Sequence, residues 1–143
     1  MVFLAKTGAH GEPISLSAVS RGTGISRRYL EQLAIPLKTA GLIQGVSGRK
    51  GGYVLTREPD EIRVIDMVNA AAGPLDLSQC AGSMGNCTVV EFCECRPLWI
   101  LANHAVGEVL GSISLGDLTD VERLSRLRAE AASIQAARTD GRG

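Results

Sequence analysis

The sequence has no cysteine outside residues 80–95, no run of 18 or more apolar residues, no internal repeat and no low-complexity tract. The missing apolar run rules out a membrane-spanning helix. The opening MVFLAKTGAHGEP is too short and too quickly polar for a secretory signal, which points to the cytoplasm. No Ser/His/Asp set, P-loop or dinucleotide fingerprint is visible, and no C-x-x-C sits at a helix start to activate a thiol. The expectation is therefore a protein that is not an enzyme.

Net charge is also missing, with 15 Lys/Arg against 15 Asp/Glu, but the balance is uneven along the chain. Residues 1–60 carry eight Lys/Arg and four Asp/Glu, whereas residues 61–143 carry seven and eleven. The first part is thus suited to an anionic partner while the second faces elsewhere. A chain of 143 residues is long enough for one compact domain with an additional arm.

Residues 1–9 read as the tail of a short helix stopped at Gly8. Over residues 15–43, apolar residues recur at helical spacing in two blocks: Leu16, Val19 and Ile25, then Tyr29, Leu30, Leu33, Leu37 and Leu42. Gly22 and Gly24 interrupt the first block, and Ser26 takes the N-cap position of the second. Pro36 inside the second helix is expected to bend it or remove a backbone bond, leaving it tightest over 27–34. Residues 42–56, LIQGVSGRKGGYVLT, read as strand, glycine turn, strand. A helix-turn-helix followed at once by a hairpin is a winged helix. The expected fold is mainly α with a small β-hairpin wing: a winged helix-turn-helix domain plus a long dimerisation helix.

Further on, residues 61–73 form a helix with Ile65, Val68 and Ala72 inward, ended by Gly73-Pro74. From Pro97 onward, Trp99, Ala102, Val106, Val109 and Ile113 are spaced 3-4-3-4, the seam of a helix paired with its twin. The alternative is a helix packed on its own domain. A last helix is expected over 118–137, capped by Thr119 or Asp120, with a disordered end from 138 to 143.

Six cations, Arg21, Arg27, Arg28, Lys38, Arg49 and Lys50, lie within residues 21–50, with Glu31 as the only acid. Cations in the first turn of a helix oppose its dipole at a cost of roughly 0.3–1 kcal/mol, so their placement suggests a nearby anion. Second-helix N-termini of helix-turn-helix proteins meet base edges in the major groove. Ser26, Arg27, Arg28, Tyr29 and Gln32 are the candidate groove contacts, and Arg49 and Lys50 the candidate wing contacts. Tyr29 could equally pack between helix and wing.

All four cysteines fall in CAGSMGNCTVVEFCEC, residues 80–95, as C-x6-C-x5-C-x-C. In a reducing compartment such a cluster reads as metal ligands or redox thiols rather than disulfides. Paired C-x2-4-C knuckles, usual for zinc, are missing. Iron–sulfur clusters tolerate more varied spacing. Cluster, zinc and thiol switch all stay open on spacing alone.

Three stretches resemble one family. GISRRYLEQL (24–33) is similar to the recognition helix of the Rrf-two regulators, and GLIQGVSGRKGGYVL (41–55) to their wing. RPLW (96–99) and ISLGDL (113–118) resemble the end of the cysteine loop and of the dimer helix. The similarity, which spans about residues 11–118, is to the IscR-like and NsrR-like iron–sulfur transcription factors. It implies a homodimer on a palindromic operator in double-stranded DNA. It also implies a [2Fe–2S] or [4Fe–4S] cluster on Cys80, Cys87 and Cys93 whose state alters operator affinity. The signal would be cluster supply, iron, nitric oxide or redox poise.

The domains then read as 1–73 for DNA binding, 74–96 for the cluster loop, 97–137 for dimerisation and C-terminal helices, and 138–143 for the tail. Relative to the family, the chain begins inside the first helix, and Arg96 replaces the His that is the fourth ligand of IscR-like members. Cys95 is additional and is the candidate replacement ligand; His10 and His104 are poorer ones. The alternative is a cluster-free regulator that uses thiol oxidation or a protein partner, as in the CymR-like branch.

Overall fold

A computed structural model describes residues 1–8, 11–78 and 93–140. The elements in chain order are α1 (Val2–Thr7), α2 (Leu16–Thr23), α3 (Arg27–Thr39), β1 (Ile43–Val46), β2 (Gly52–Leu55), a 3-10 turn (Pro59–Glu61), α4 (Val64–Ala72), α5 (Arg96–Ser112), α6 (Leu115–Thr119) and α7 (Val121–Asp140). The mainly helical fold with a hairpin wing is the one expected.

Local chemistry sets the boundaries of the helix-turn-helix. The Ser15 hydroxyl accepts the Ala18 N–H at 3.2 Å and starts α2. Gly24, in the left-handed region at φ 74°, ends it. Two residues later the Ser26 hydroxyl accepts the Tyr29 N–H at 3.3 Å and starts α3. α3 runs unbroken past Pro36 to Thr39, five residues beyond the tight stretch expected. Pro36 deprives the Gln32 carbonyl of its usual donor four residues on, yet the inward residues Leu30 and Ala34 stay buried and Leu37 packs against them.

β1 and β2 pair antiparallel, with Ile43 opposite Leu55 and Val46 opposite Gly52. Ile14 joins the hairpin through an isolated bridge: it exchanges both backbone bonds with Tyr53, at 3.0 and 2.9 Å. The approach is so close that a Cβ on Gly52 would fall on the Ile14 carbonyl and the Ser15 nitrogen. In the hairpin tip Gly48 has φ 119°, the conformation that favours glycine.

The core is built around two buried groups. Leu4, Val19, Leu30, Ala34 and Ile43 hold α1, α2, α3 and the wing together. Leu42, Ile62 and Leu115 join the wing base to the C-terminal helices, with Met67 and Ala70 of α4 packed against them. Full burial of side chains this size stabilises by about 1.5–3 kcal/mol each. The inner face of α4 is therefore partly shifted from the expected one. Met67 and Ala70 meet the core, Ile65 approaches Gly111 of α5, and Ala72 is exposed.

The C-terminal part differs from expectation in three ways. α5 stops at Ser112, and Ile113 is extended because its carbonyl accepts the Val64 N–H at 2.9 Å. Leu115 then donates to the Ile62 carbonyl at 2.8 Å. Ser114 and Asp117 form a capping box that opens α6 as a separate short helix. Asp120 caps α7 by accepting the Arg123 N–H at 2.8 Å, and α7 continues to Asp140, three residues into the tail expected to be disordered. Residues 141–143 lie outside the described ones.

Asp117 accepts the Ser114 N–H and hydroxyl, both at 2.8 Å. Those bonds, backbone first, and Arg123 nearby hold its carboxyl below the usual carboxylate range. Arg123 also bridges to Asp60 at 2.6 Å, which ties α7 to the turn below the wing. A carboxylate with a depressed folded pKa stabilises above its unfolded value of about 3.9 and loses that contribution as pH falls through the folded one. Asp117→Ala should thus cost about 1 kcal/mol at neutral pH, and the deficit should shrink in urea titrations repeated at increasingly acid pH. A constant deficit from neutral to acid would show that ionised Asp117 contributes nothing. Separately, Gly52→Ala should cost about 1–3 kcal/mol and speed amide exchange at Tyr53. A Tyr53 amide as protected as in the wild type would contradict the close packing against Ile14.

Candidate nucleic-acid interface

The inward face of α3 is taken by Leu30 and Ala34, which leaves Arg28, Glu31, Gln32 and Ile35 exposed. Arg27 occupies the first position of the helix. It donates from Nε to Glu31 Oε1 at 2.9 Å and from Nη1 to the Ser17 hydroxyl at 3.4 Å, so it braces α3 against α2. Both members of the ion pair are more than half exposed, and such a pair adds only about 0.2–1 kcal/mol to stability. Its larger effect is electrostatic, because it neutralises the only acid among six cations. The side chains of Arg28, Gln32, Arg49 and Lys50 make no hydrogen bond or ion pair among the described residues, and all four are exposed.

Ser26 is the cap of α3, so its hydroxyl is committed to the Tyr29 N–H. Tyr29 is 52% exposed, and the tyrosine packed on the core is Tyr53, within the wing itself. Arg49 and Lys50 lie in the five-residue tip between β1 and β2, with no core beneath them. Ile35, at 68% exposure, is absent from the groove residues expected from the sequence. Its signal is its register, seven residues after Arg28, and it is hidden by the stronger inward series Leu30, Leu33, Leu37.

Cys80, Cys87 and His10 lie outside the described residues. Cys93 and Cys95 are free thiols, half-buried and exposed respectively, at the N-terminal end of α5. The Cys93 and Cys95 carbonyls accept the Arg96 and Trp99 N–H groups at 3.1 and 3.2 Å, which places Cys95 at the N-cap of α5 and Cys93 in the turn just before it. The positive end of a 17-residue helix favours bound negative charge, as on a thiolate centre. Soft sulfur donors here fit an iron–sulfur group. Among the described residues no group of three His, Cys, Asp or Glu side chains is placed to hold a metal. On the other side of the loop, the Asn69 and Asn103 side-chain carbonyls accept the Leu75 and Leu77 N–H groups at 3.1 and 3.0 Å. Entry and exit are therefore both tied to helices.

Along α5, Trp99 and Val109 are exposed, whereas Ala102 and Val106 are half-buried. Leu98 and Leu101 add further exposed apolar surface at 64% and 66%. Ile113 lies beyond the helix end and so departs from the helical seam. No helix among the described residues is long and apolar enough to cross a membrane.

A helix-turn-helix with a flanking hairpin, both presenting unpaired cations, is the architecture of a winged-helix DNA-binding protein. Comparison with known proteins agrees. The Rrf2 family model, described as an iron-dependent transcriptional regulator, matches residues 1–121. The transcriptional regulator CymR of Bacillus subtilis is 41% identical over 121 residues, covering 82% of this chain and 80% of that one. The regulator IscR of Aliivibrio salmonicida is 39% identical over 106 residues, covering 74% and 62%. The solved structure of CymR, described as the global cysteine regulator of B. subtilis, superposes with a TM-score of 0.65 at 36% identity, covering 82% of this chain and 85% of that one. This chain belongs to the Rrf2 family of transcriptional regulators.

Arg28 and Arg27 should behave differently on a duplex enriched from a random-sequence pool. Arg28→Ala, or Arg49→Ala with Lys50→Ala, should weaken binding; each phosphate no longer neutralised should flatten the log–log salt dependence by about 0.9. Arg27→Ala with Glu31→Ala removes a neutral pair and should keep affinity within about twofold of wild type. A drop in affinity in that double variant as large as in Arg28→Ala would place Arg27 on the DNA.

Proposed function

We propose that this chain acts as a homodimer that binds a palindromic operator and changes its affinity with the state of a cysteine-ligated iron–sulfur cluster. Ser26, Arg28, Tyr29 and Gln32 on α3 would meet the groove. Arg27 would orient Glu31, and Arg49 and Lys50 would meet the backbone or minor groove from the wing. Cys80, Cys87 and Cys93 would hold the cluster, [2Fe–2S] or [4Fe–4S], with Cys95 as candidate fourth ligand. When bound, such a group supplies a centre responsive to iron, nitric oxide or redox poise.

The observation that carries this reading is the position of Cys95 at the N-cap of α5, with Cys93 in the turn just before it, directly ahead of exposed Leu98, Trp99 and Leu101. The thiols thus adjoin the start of the helix that carries the apolar surface available for a twin. A change at the thiols is then linked to how two copies meet, and half-site spacing on DNA is strict. The family match, described as iron-dependent, supports the same reading.

A second reading is favoured by the 41% identity to CymR and by a solved oxidised form of Staphylococcus aureus CymR. In it the input is oxidation of thiols such as exposed Cys95, without a cluster.

Anaerobic purification with an absorbance spectrum and iron and sulfide counts separates the two. The expected result is a coloured wild type whose iron is lost in Cys80→Ala, Cys87→Ala and Cys93→Ala, with the Cys95→Ala variant reporting on the fourth ligand. A colourless wild type with full operator binding, altered by peroxide, would favour thiol sensing instead.

A further inference from the structure

We propose that Ile35 is a specificity-determining residue that packs against the C5-methyl group of a thymine in the major groove. This rests on α3 being the groove-facing helix, as read above. Single exposed apolar residues are common on proteins and need no explanation by themselves. What singles out Ile35 is its register. Arg28, Glu31, Gln32 and Ile35 stand at positions i, i+3, i+4 and i+7 on the exposed face of α3, turned away from buried Leu30 and Ala34. Homeodomain recognition helices read bases from four residues at that same spacing.

The chemistry of the face is mixed in a useful way. Arg28 suits the two acceptors of guanine and Gln32 the donor–acceptor pair of adenine, whereas only an apolar side chain can report the thymine methyl. Glu31 would repel phosphate or accept from cytosine, but its Oε1 is held by Arg27 at 2.9 Å. Ile35 lies about 10 Å along the helix axis from Arg28, or roughly three base-pair steps. It is 68% exposed, the largest exposure of any big apolar residue before α7 among the described residues, and it belongs to neither core group. An isoleucine there also has lower helix propensity than the Glu, Lys or Ala that a purely solvated position would favour.

The test uses the full chain, purified anaerobically, and a random-sequence duplex pool. The wild type should enrich a motif with a preferred thymine about three pairs from a preferred guanine. Replacing that thymine by deoxyuridine, which removes one methyl group, should weaken wild-type binding roughly fourfold, the effect of burying one such group. Ile35→Ser and Ile35→Ala should bind thymine and deoxyuridine duplexes equally while keeping the wild-type melting temperature. The proposal is overturned if no thymine methyl affects binding, or if the methyl effect persists in both variants. Enrichment of no sequence by the wild type would overturn the assignment of α3 itself, a failure distinct from a motif without a methyl effect.

Discussion

The structure depends on one small backbone bridge. Val64 donates to the Ile113 carbonyl and Leu115 to the Ile62 carbonyl, at 2.9 and 2.8 Å, and the side chains of Ile62 and Leu115 are completely buried beside Leu42. Everything between those partners is a closed excursion: α4 leaves the bridge, the cysteine segment follows, and α5 returns to it. The winged domain is thereby joined to the C-terminal helices at a site shielded from water, where each backbone bond is hard to exchange for a solvent one. Gly116 follows immediately and packs on Asp60 so closely that a Cβ there would displace the Asp60 carboxylate. The direction in which α6 and α7 leave is set within a few residues of the same point.

This arrangement separates two kinds of chemistry. Exposed cations on α3 and the wing tip give attraction to a polyanion, which acts over about a Debye length and is screened by salt. Base-edge contacts act only at van der Waals or hydrogen-bond distance. The Arg27–Glu31 pair serves the first by removing a misplaced negative charge from the approach. Capping by Ser26 serves the second, because it fixes where the first turn of α3 begins and so which residues share its exposed face.

Much of this is legible in the residues. Ser26 behaves as the cap its position indicates, Gly73 closes α4 with φ 86°, and the hairpin register follows the strand–glycine–strand pattern of residues 42–56. The end of α5 is harder to place, because Ile113 satisfies a 3-4-3-4 seam as well as it satisfies a bridge. Only the bridge partner around Arg63, fifty residues before Ile113, decides between them. The capping signal is present all the same: Ser114 with Asp117 three residues on is a helix start. The pairing of Arg27 with Glu31 is not visible in the sequence, because rotamer choice is not written in spacing. Ile35 escapes notice because periodicity selects inward residues, and Ile35 is exposed and off that period. For the cysteines, Cys93 and Cys95 are placed by α5, while Cys80 and Cys87 lie outside the described residues.

The two asparagines that tie down the segment before the cysteines bear on how its length can vary. Asn69 holds Leu75 and Asn103 holds Leu77, and α5 picks up the chain again at Arg96. A connection anchored at both ends is forgiving in length: doubling it adds only about 0.6 kcal/mol of closure entropy. A change in the length of that segment is therefore expected to leave α4, α5 and the bridge beneath them undisturbed. The two helices fix where that segment starts and ends, whatever its length.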